Sequence, residues 1–162
     1  TMARLAAAGN PSFSVDDGEV RAPQKSYTVL TLERLRAELG PQRSLVLILG
    51  ADAFAGLPTW HRWTDLFALA HIAVANRPGY APHGRRWPAT LSPELDAACA
   101  GRHTADPAEL RRAPAGRVVP FDMTPLAISA SLIRDLVRNG HSARYLLPES
   151  VLDYIAAHHL YR

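Results

Sequence analysis

Two short apolar runs constrain this chain more than anything else in it: SLVLILG at residues 44–50 and HIAVA at the head of residues 71–79. A strand with one wet face alternates apolar and polar side chains. An unbroken run instead predicts a strand buried on both faces, the habit of parallel sheets. RVVPF at residues 117–121 predicts a third such strand. Parallel neighbours cannot be joined by a tight turn and need crossover connections, most often helices. In SYTVLTLERLRAELGP, Leu32, Leu35 and Leu39 recur at helical intervals, Glu33 and Arg36 lie outward, and Gly40-Pro41 stops the helix. In LPTWHRWTDLFALA, Trp63, Leu66, Phe67 and Ala70 make one apolar face. The fold class is therefore α/β, a parallel sheet with helices on both faces.

In open sheets of this kind, ligands sit beyond the carboxyl ends of the strands. Three segments are then expected on one rim. Gly50-Ala51-Asp52 follows the first strand, Asn76-Arg77-Pro78-Gly79 the second, and AISASLIRDLVRNG, which holds Ser129, Ser131 and Arg134, the third. That last segment has two readings. Ser129 is a preferred N-cap residue, Leu132, Ile133 and Leu136 form a stripe, and Gly140 stands where a helix ends, so plain capping accounts for it. Alternatively, the hydroxyls of Ser129 and Ser131 and the Arg134 guanidinium complete an anion site at the positive end of the helix. Asp52 is equally open: it can accept hydrogen bonds from both hydroxyls of a ribose, or cap the next turn. In PTWHRW, Thr59 is expected as a cap and Trp60 in the first helical position. Trp63 belongs to the core stripe, while Trp60 can offer its ring to a planar ligand.

At 162 residues the chain is expected to be one domain, with residues 80–116, rich in proline, arginine and alanine, as a peripheral insertion. One helix is expected inside it, capped by Ser92 with Pro93 in its first turn. TMARLAAAGNP reads as the last turns of a helix, which predicts that a further segment precedes Thr1. LPESVLDYIAAHHLYR is an amphipathic closing helix with Val151, Leu152 and Ile155 inward and His158-His159 solvated.

Net charge is +3 and no lysine or arginine run forms a stripe, so nucleic acid is excluded as the partner. The single cysteine, Cys99, cannot form an internal disulfide, which fits a cytoplasmic protein. No stretch approaches the roughly 20 apolar residues of a spanning helix. None of the seven histidines pairs at metal-ligand spacing, so no metal site is expected. No serine–histidine–acid arrangement and no general base is legible. An enzyme built from these residues works by positioning and electrostatics.

ISASLIR resembles the ISxTxxR signature of the nucleotidyltransferase superfamily, with Ser131 in place of the usual threonine. More specifically, KSYTVLTLERLR, LILGADAFAGLPTWHRW, HIAVANRPGY, ISASLIRDLVRNG and LLPESVLDYIAAHHLYR, in that order, resemble bacterial nicotinate mononucleotide adenylyltransferase. The resemblance covers residues 26–162 except most of 80–116. It implies a Rossmann-like nucleotidyltransferase fold and a reaction of NAD biosynthesis. Nicotinate mononucleotide and ATP, with Mg²⁺ carried by the nucleotide, give nicotinate adenine dinucleotide and pyrophosphate. It also implies roles. Ser129, Ser131 and Arg134 would position the ATP phosphates, Gly50 and Asp52 would hold its ribose, and Arg77 would reach a phosphate. Trp60 would stack on the pyridine, and the N–H groups of Trp60 and His61 with the Thr28 hydroxyl would hold the nicotinate carboxylate. A helix N-terminus there would favour nicotinate over nicotinamide.

The family's opening motif, GGTFDPxHxGH, which carries a histidine pair and forms the first strand and helix, is not among these residues and is expected before Thr1. The competing readings are an adenylyltransferase for another acceptor (nicotinamide mononucleotide or phosphopantetheine) and a non-catalytic nucleotide-binding module. The partners expected are small molecules, with no membrane; a homo-oligomer is left open.

Overall fold

A computed structural model of the chain describes residues 1–23, 25–75, 92–124 and 126–162. Along the chain run α1 (Met2–Ala7), α2 (Gly18–Arg21), α3 (Thr28–Leu39), β1 (Val46–Gly50), α4 (Ala51–Ala55) and α5 (Leu66–Leu69). They are followed by β2 (His71–Ala75), α6 (Pro93–Cys99), β3 (Val118–Phe121), α7 (Ala130–Arg138) and α8 (Glu149–Ala157). Single 3₁₀ turns occupy Leu57–Thr59, Trp63–Asp65 and Pro107–Arg111. The contacts group into two compact units, one made of Gly18–Pro125 and the other of Thr1–Asp17 with Leu126–Arg162.

The larger unit holds the sheet, in the order β1-β2-β3 with both pairs parallel, as the apolar runs predict. All five residues of β2 are buried, because it lies between two partners. β1 departs from expectation. Leu49 is buried, but Val46 is 40% and Ile48 66% exposed. Among the described residues β1 pairs only with β2, and the core touches its Leu45, Leu47 and Leu49 side. An unbroken apolar run therefore marks a strand here without guaranteeing that both its faces are covered.

α3 spans the residues its periodicity predicts, and Gly40, at φ 89°, ends it with its N–H on the Arg36 carbonyl at 3.1 Å. The stripe differs in detail. Val29 and Leu32 are the buried residues of α3, whereas Leu39 is 52% exposed. Arg36, expected outward, turns in and donates to the backbone carbonyls of Leu69, Arg43 and Pro114, the last at 3.0 Å. Loop carbonyls that no strand satisfies need a donor, and a guanidinium with five N–H groups can serve several of them at once.

His71, fully buried, does similar work at the foot of the sheet. Its Nδ1 accepts the Arg117 N–H at 3.0 Å, which leaves Nε2–H to donate to the Ala113 carbonyl at 2.8 Å. The segment expected as a peripheral insertion is also part of this core where it is described. Ser92 caps α6 by accepting the Leu95 N–H at 3.2 Å with Pro93 in the first turn, as expected. Leu95 is then fully buried and Cys99 nearly so, both within the main hydrophobic cluster. Burial pushes the Cys99 thiol up to about 11, so it stays a thiol. Residues 80–91 lie outside the described residues.

In the smaller unit α1 bears out the helix expected at the start of the chain, and α1 contacts α8. α8 buries Val151 and Ile155 and leaves His158 and His159 exposed. Among the described residues no helix is long and apolar enough to cross a membrane.

Candidate functional site

The candidate residues fall in both units, and each group is built differently. In the smaller unit, Ser129 has extended backbone and caps α7, its Oγ accepting the Leu132 N–H at 3.1 Å. Two residues on, the Ser131 hydroxyl accepts a hydrogen bond from Arg134 at 3.3 Å. Only Ile133 of α7 is buried; Ser129 and Ser131 are exposed and Arg134 half-buried. The first turn of α7 carries no acidic residue, like those of α1, α3 and α5 and unlike those of α2, α4, α6 and α8. The positive end of α7 is thus left unneutralised by its own side chains, with a guanidinium and two hydroxyls beside it. At the far end, Gly140 at φ 71° lets the Gly140 N–H reach the Val137 carbonyl at 3.1 Å and the His141 N–H that of Leu136 at 2.8 Å.

In the larger unit, Gly50 ends β1 and is the N-cap of α4, which puts exposed Asp52 in the first turn of that helix. The adjoining segment does not fold as its sequence suggests. No helix opens at Trp60. Thr59 closes the Leu57–Thr59 turn and its hydroxyl donates to the Gly56 carbonyl at 2.8 Å, so it caps nothing. Trp60 is extended, with its N–H already given to the Leu57 carbonyl at 2.9 Å. The expected carboxylate contact from the Trp60 N–H is therefore not available in this arrangement, nor is a helix N-terminus behind it. The physical reason is in the anchors: fully buried Leu57 and Leu66 pin both ends of the segment, and the residues between them span the gap in tight turns. Trp60 is half-buried against the core cluster, as is Trp63, whose ring meets Phe67 edge-on at 6.2 Å, the core placement expected for it.

His61 is exposed, and its ring lies 4.4 Å from that of Tyr27, the residue before Thr28 and the N-cap of α3. The structure thus brings the His61 end of the segment beside the Thr28 end of α3, two places 33 residues apart in sequence. Arg62 holds the link. Its backbone is left-handed (φ 51°, ψ 40°), a conformation that costs a non-glycine residue on the order of 1 kcal/mol. Its guanidinium spans Glu33 of α3 and Asp65, both at 2.7 Å. Those two carboxylates raise the Arg62 pKa above its ordinary value, through the hydrogen bond to Glu33 first and to Asp65 second. Sequence reasoning passed over Tyr27, Glu33 and Arg62. The i, i+3 spacing of Arg62 and Asp65 was a local signal; the reach to Glu33 had none. Arg77 lies outside the described residues.

No family model matches the chain. Curated relatives do. One from Dechloromonas aromatica (strain RCB), a probable nicotinate-nucleotide adenylyltransferase, is 58% identical over 161 residues, 99% of this chain and 72% of that protein. Another of the same name from Marinomonas sp. (strain MWYL1) is 44% identical over 161 residues, 99% of this chain and 70% of its own. Among solved structures, Plasmodium falciparum nicotinic acid mononucleotide adenylyltransferase complexed with APC superposes with a TM-score of 0.58 at 16% identity. It covers 96% of this chain and 70% of that one, and the same enzyme complexed with NaAD scores equally. The fold likeness agrees with the three parallel strands, and the identity to the curated relatives settles the lineage: the chain belongs to the nicotinate-nucleotide adenylyltransferase family.

Proposed function

We propose that this protein transfers the adenylyl group of ATP to nicotinate mononucleotide, giving nicotinate adenine dinucleotide and pyrophosphate, in NAD biosynthesis. A phosphate oxygen of the mononucleotide attacks the α-phosphorus of ATP. The bond from that phosphorus to the oxygen bridging the β-phosphate breaks as the new one forms, and pyrophosphate leaves. No side chain needs to be adenylylated, so the work of the protein is alignment and charge neutralisation.

The observation that carries this reading is the first turn of α7, where the Arg134 guanidinium and the Ser131 hydroxyl stand 3.3 Å apart at a capped, acid-free helix N-terminus. Such a turn presents N–H groups, hydroxyls and a positive charge to phosphate oxygens, and favours them more as negative charge builds on the leaving group. Ser129, Ser131 and Arg134 hold the phosphates of ATP in this reading, Gly50 and Asp52 its ribose, and Arg77 a phosphate. Trp60 stacks on the pyridine ring.

The nicotinate carboxylate goes to the Thr28 hydroxyl and the His61 N–H, without the Trp60 N–H. Preference for the acid over the amide then rests on donor count. A carboxylate accepts at both oxygens, whereas an amide turns its NH₂ against one of the two donors. The metal enters as part of the substrate, Mg²⁺ on the ATP phosphates. Among the described residues no three His, Cys, Asp or Glu side chains gather into a cage for it. A cytoplasmic setting, where a free thiol such as Cys99 persists, suits this chemistry.

Pyrophosphate release by the full-length protein, with Mg-ATP and each of three acceptors in turn, tests the proposal. Nicotinate mononucleotide is expected to give a kcat/KM at least tenfold above that of nicotinamide mononucleotide, with none from phosphopantetheine. A preference for the amide would overturn the acceptor assignment, and no turnover with any of the three would leave a nucleotide-binding module as the better description.

A further inference from the structure

We infer that Arg62 is a positioning residue for acceptor recognition, holding the Trp60-His61 pair against the start of α3. The inference rests on the acceptor reading given above, and its support is geometric. Arg62 follows His61 directly, and it is the one left-handed non-glycine residue among the described residues of the larger unit. A glycine would take that backbone without strain; the arginine that stands there instead makes two ion pairs.

Those contacts run both ways from the turn. One nitrogen of the guanidinium reaches Glu33 Oε1 at 2.7 Å, in the middle of α3. Asp65 Oδ2 accepts from the same nitrogen at 2.7 Å and from Nε at 2.8 Å. The Arg62 carbonyl also accepts the Asp65 N–H at 3.0 Å, so backbone and side chain close the same turn. Just before it, the His61 ring lies 4.4 Å from Tyr27, the N-cap of the same α3. The segment is thus tied to α3 at two points, and Thr28 sits next to one of them.

Two other roles fit less well. Arg62 is not built as a receptor for the acceptor's carboxylate, because two carboxylates already occupy its fork. Nor is it a stability device: its side chain is 44% exposed, and ion pairs that wet contribute little to folding. What a bridge between two carboxylates on different elements does supply is orientation, and a planar fork supplies more of it than an ammonium would.

The test compares wild type with Arg62→Ala, Arg62→Gly, Arg62→Lys and Glu33→Gln, by steady-state kinetics in both substrates and by thermal melting. Binding of nicotinate mononucleotide is followed separately, by quenching of tryptophan fluorescence. Arg62→Ala is expected to raise KM for nicotinate mononucleotide and its dissociation constant by about tenfold. KM for ATP and kcat should stay within about twofold, and the melting temperature within about two degrees. Arg62→Gly relieves the left-handed backbone yet should show the same loss, which separates the fork from backbone strain. Arg62→Lys should recover part of the affinity, and Glu33→Gln should cost less than Arg62→Ala.

An Arg62→Ala protein with unchanged acceptor affinity overturns the inference, as does one in which both KM values rise together or only the melting temperature falls. Wild-type protein that neither binds nor turns over nicotinate mononucleotide overturns the acceptor reading, and the inference with it.

Discussion

α7 and the segment at residues 56–65 look alike as sequence: a hydroxyl residue followed by apolar residues at helical spacing. They fold differently. At α7 the Ser129 hydroxyl caps, the helix runs nine residues, and a glycine closes it. At 56–65 the Thr59 hydroxyl turns back on the Gly56 carbonyl and the chain makes two 3₁₀ turns around an extended Trp60 and a left-handed Arg62. The difference lies in where the information sits. The caps that begin and end α7 lie within a few residues of it. The 56–65 segment is shaped by fully buried Leu57 and Leu66 and by ion pairs that reach back to α3. A locally capped helix suits the anion site proposed for α7, and a segment held from several sides suits the fit to one ring and one carboxylate proposed for 56–65.

The strongest way to break this comparison is to remove the non-local anchor. Leu57 is fully buried in the main cluster, so Leu57→Ala leaves a cavity and is expected to destabilise the protein by about 3 kcal/mol in urea titration. If residues 56–65 were instead held by their own short turns, the loss would stay under about 1 kcal/mol, and the contrast with α7 would fail.

A second experiment addresses what α7 does chemically. Arg134 carries the positive charge beside the first turn, and its bond to Ser131 leaves the guanidinium's other donors available for phosphate oxygens. Arg134→Ala is expected to lower kcat/KM for ATP about 10²-fold, the usual effect of deleting one donor that meets developing charge. Arg134→Lys should restore only part of it, since a point charge cannot match two phosphate oxygens at once. A loss in acceptor KM alone, with ATP kinetics intact, would move Arg134 out of the phosphate site.

These contrasts explain what the sequence made legible. The sheet could be read because unbroken apolar runs have few other uses, and β2 lies where its run predicts, wholly buried. Ser92 and Ser129 could be read as caps because a cap is a contact between residues three apart. The misreading of Arg36 has its cause in partners far along the chain. Arg36 points inward because carbonyls at Leu69 and Pro114 need it, 33 and 78 residues away. Leu95 and Cys99 pack in the core although their segment's composition reads as surface. Ile48 keeps its apolar identity on a face that the described residues do not cover. In the candidate site the residue types were legible, and the donors were not. The Trp60 N–H is given to the Leu57 carbonyl, which depends on a single turn conformation.

The smallest expected effects sharpen the comparison most, because they pair two hydroxyls that the sequence alone treats as equivalent. Ser129→Ala removes an acceptor that satisfies the Leu132 N–H in the first turn of α7, and loss of such a cap costs about 1 kcal/mol. Thr59→Ala removes only a bond from an exposed hydroxyl to the Gly56 carbonyl, which water can replace, so it should cost less than about 0.5 kcal/mol. Chemical denaturation of the two variants side by side measures the difference directly. In the kinetics the order should persist, with Ser129→Ala raising KM for ATP severalfold and Thr59→Ala leaving both substrates within twofold. Equal losses would mean that Thr59 caps a helix after all. The Trp60 N–H would then be returned to the carboxylate, and the two regions would differ in sequence position but not in kind.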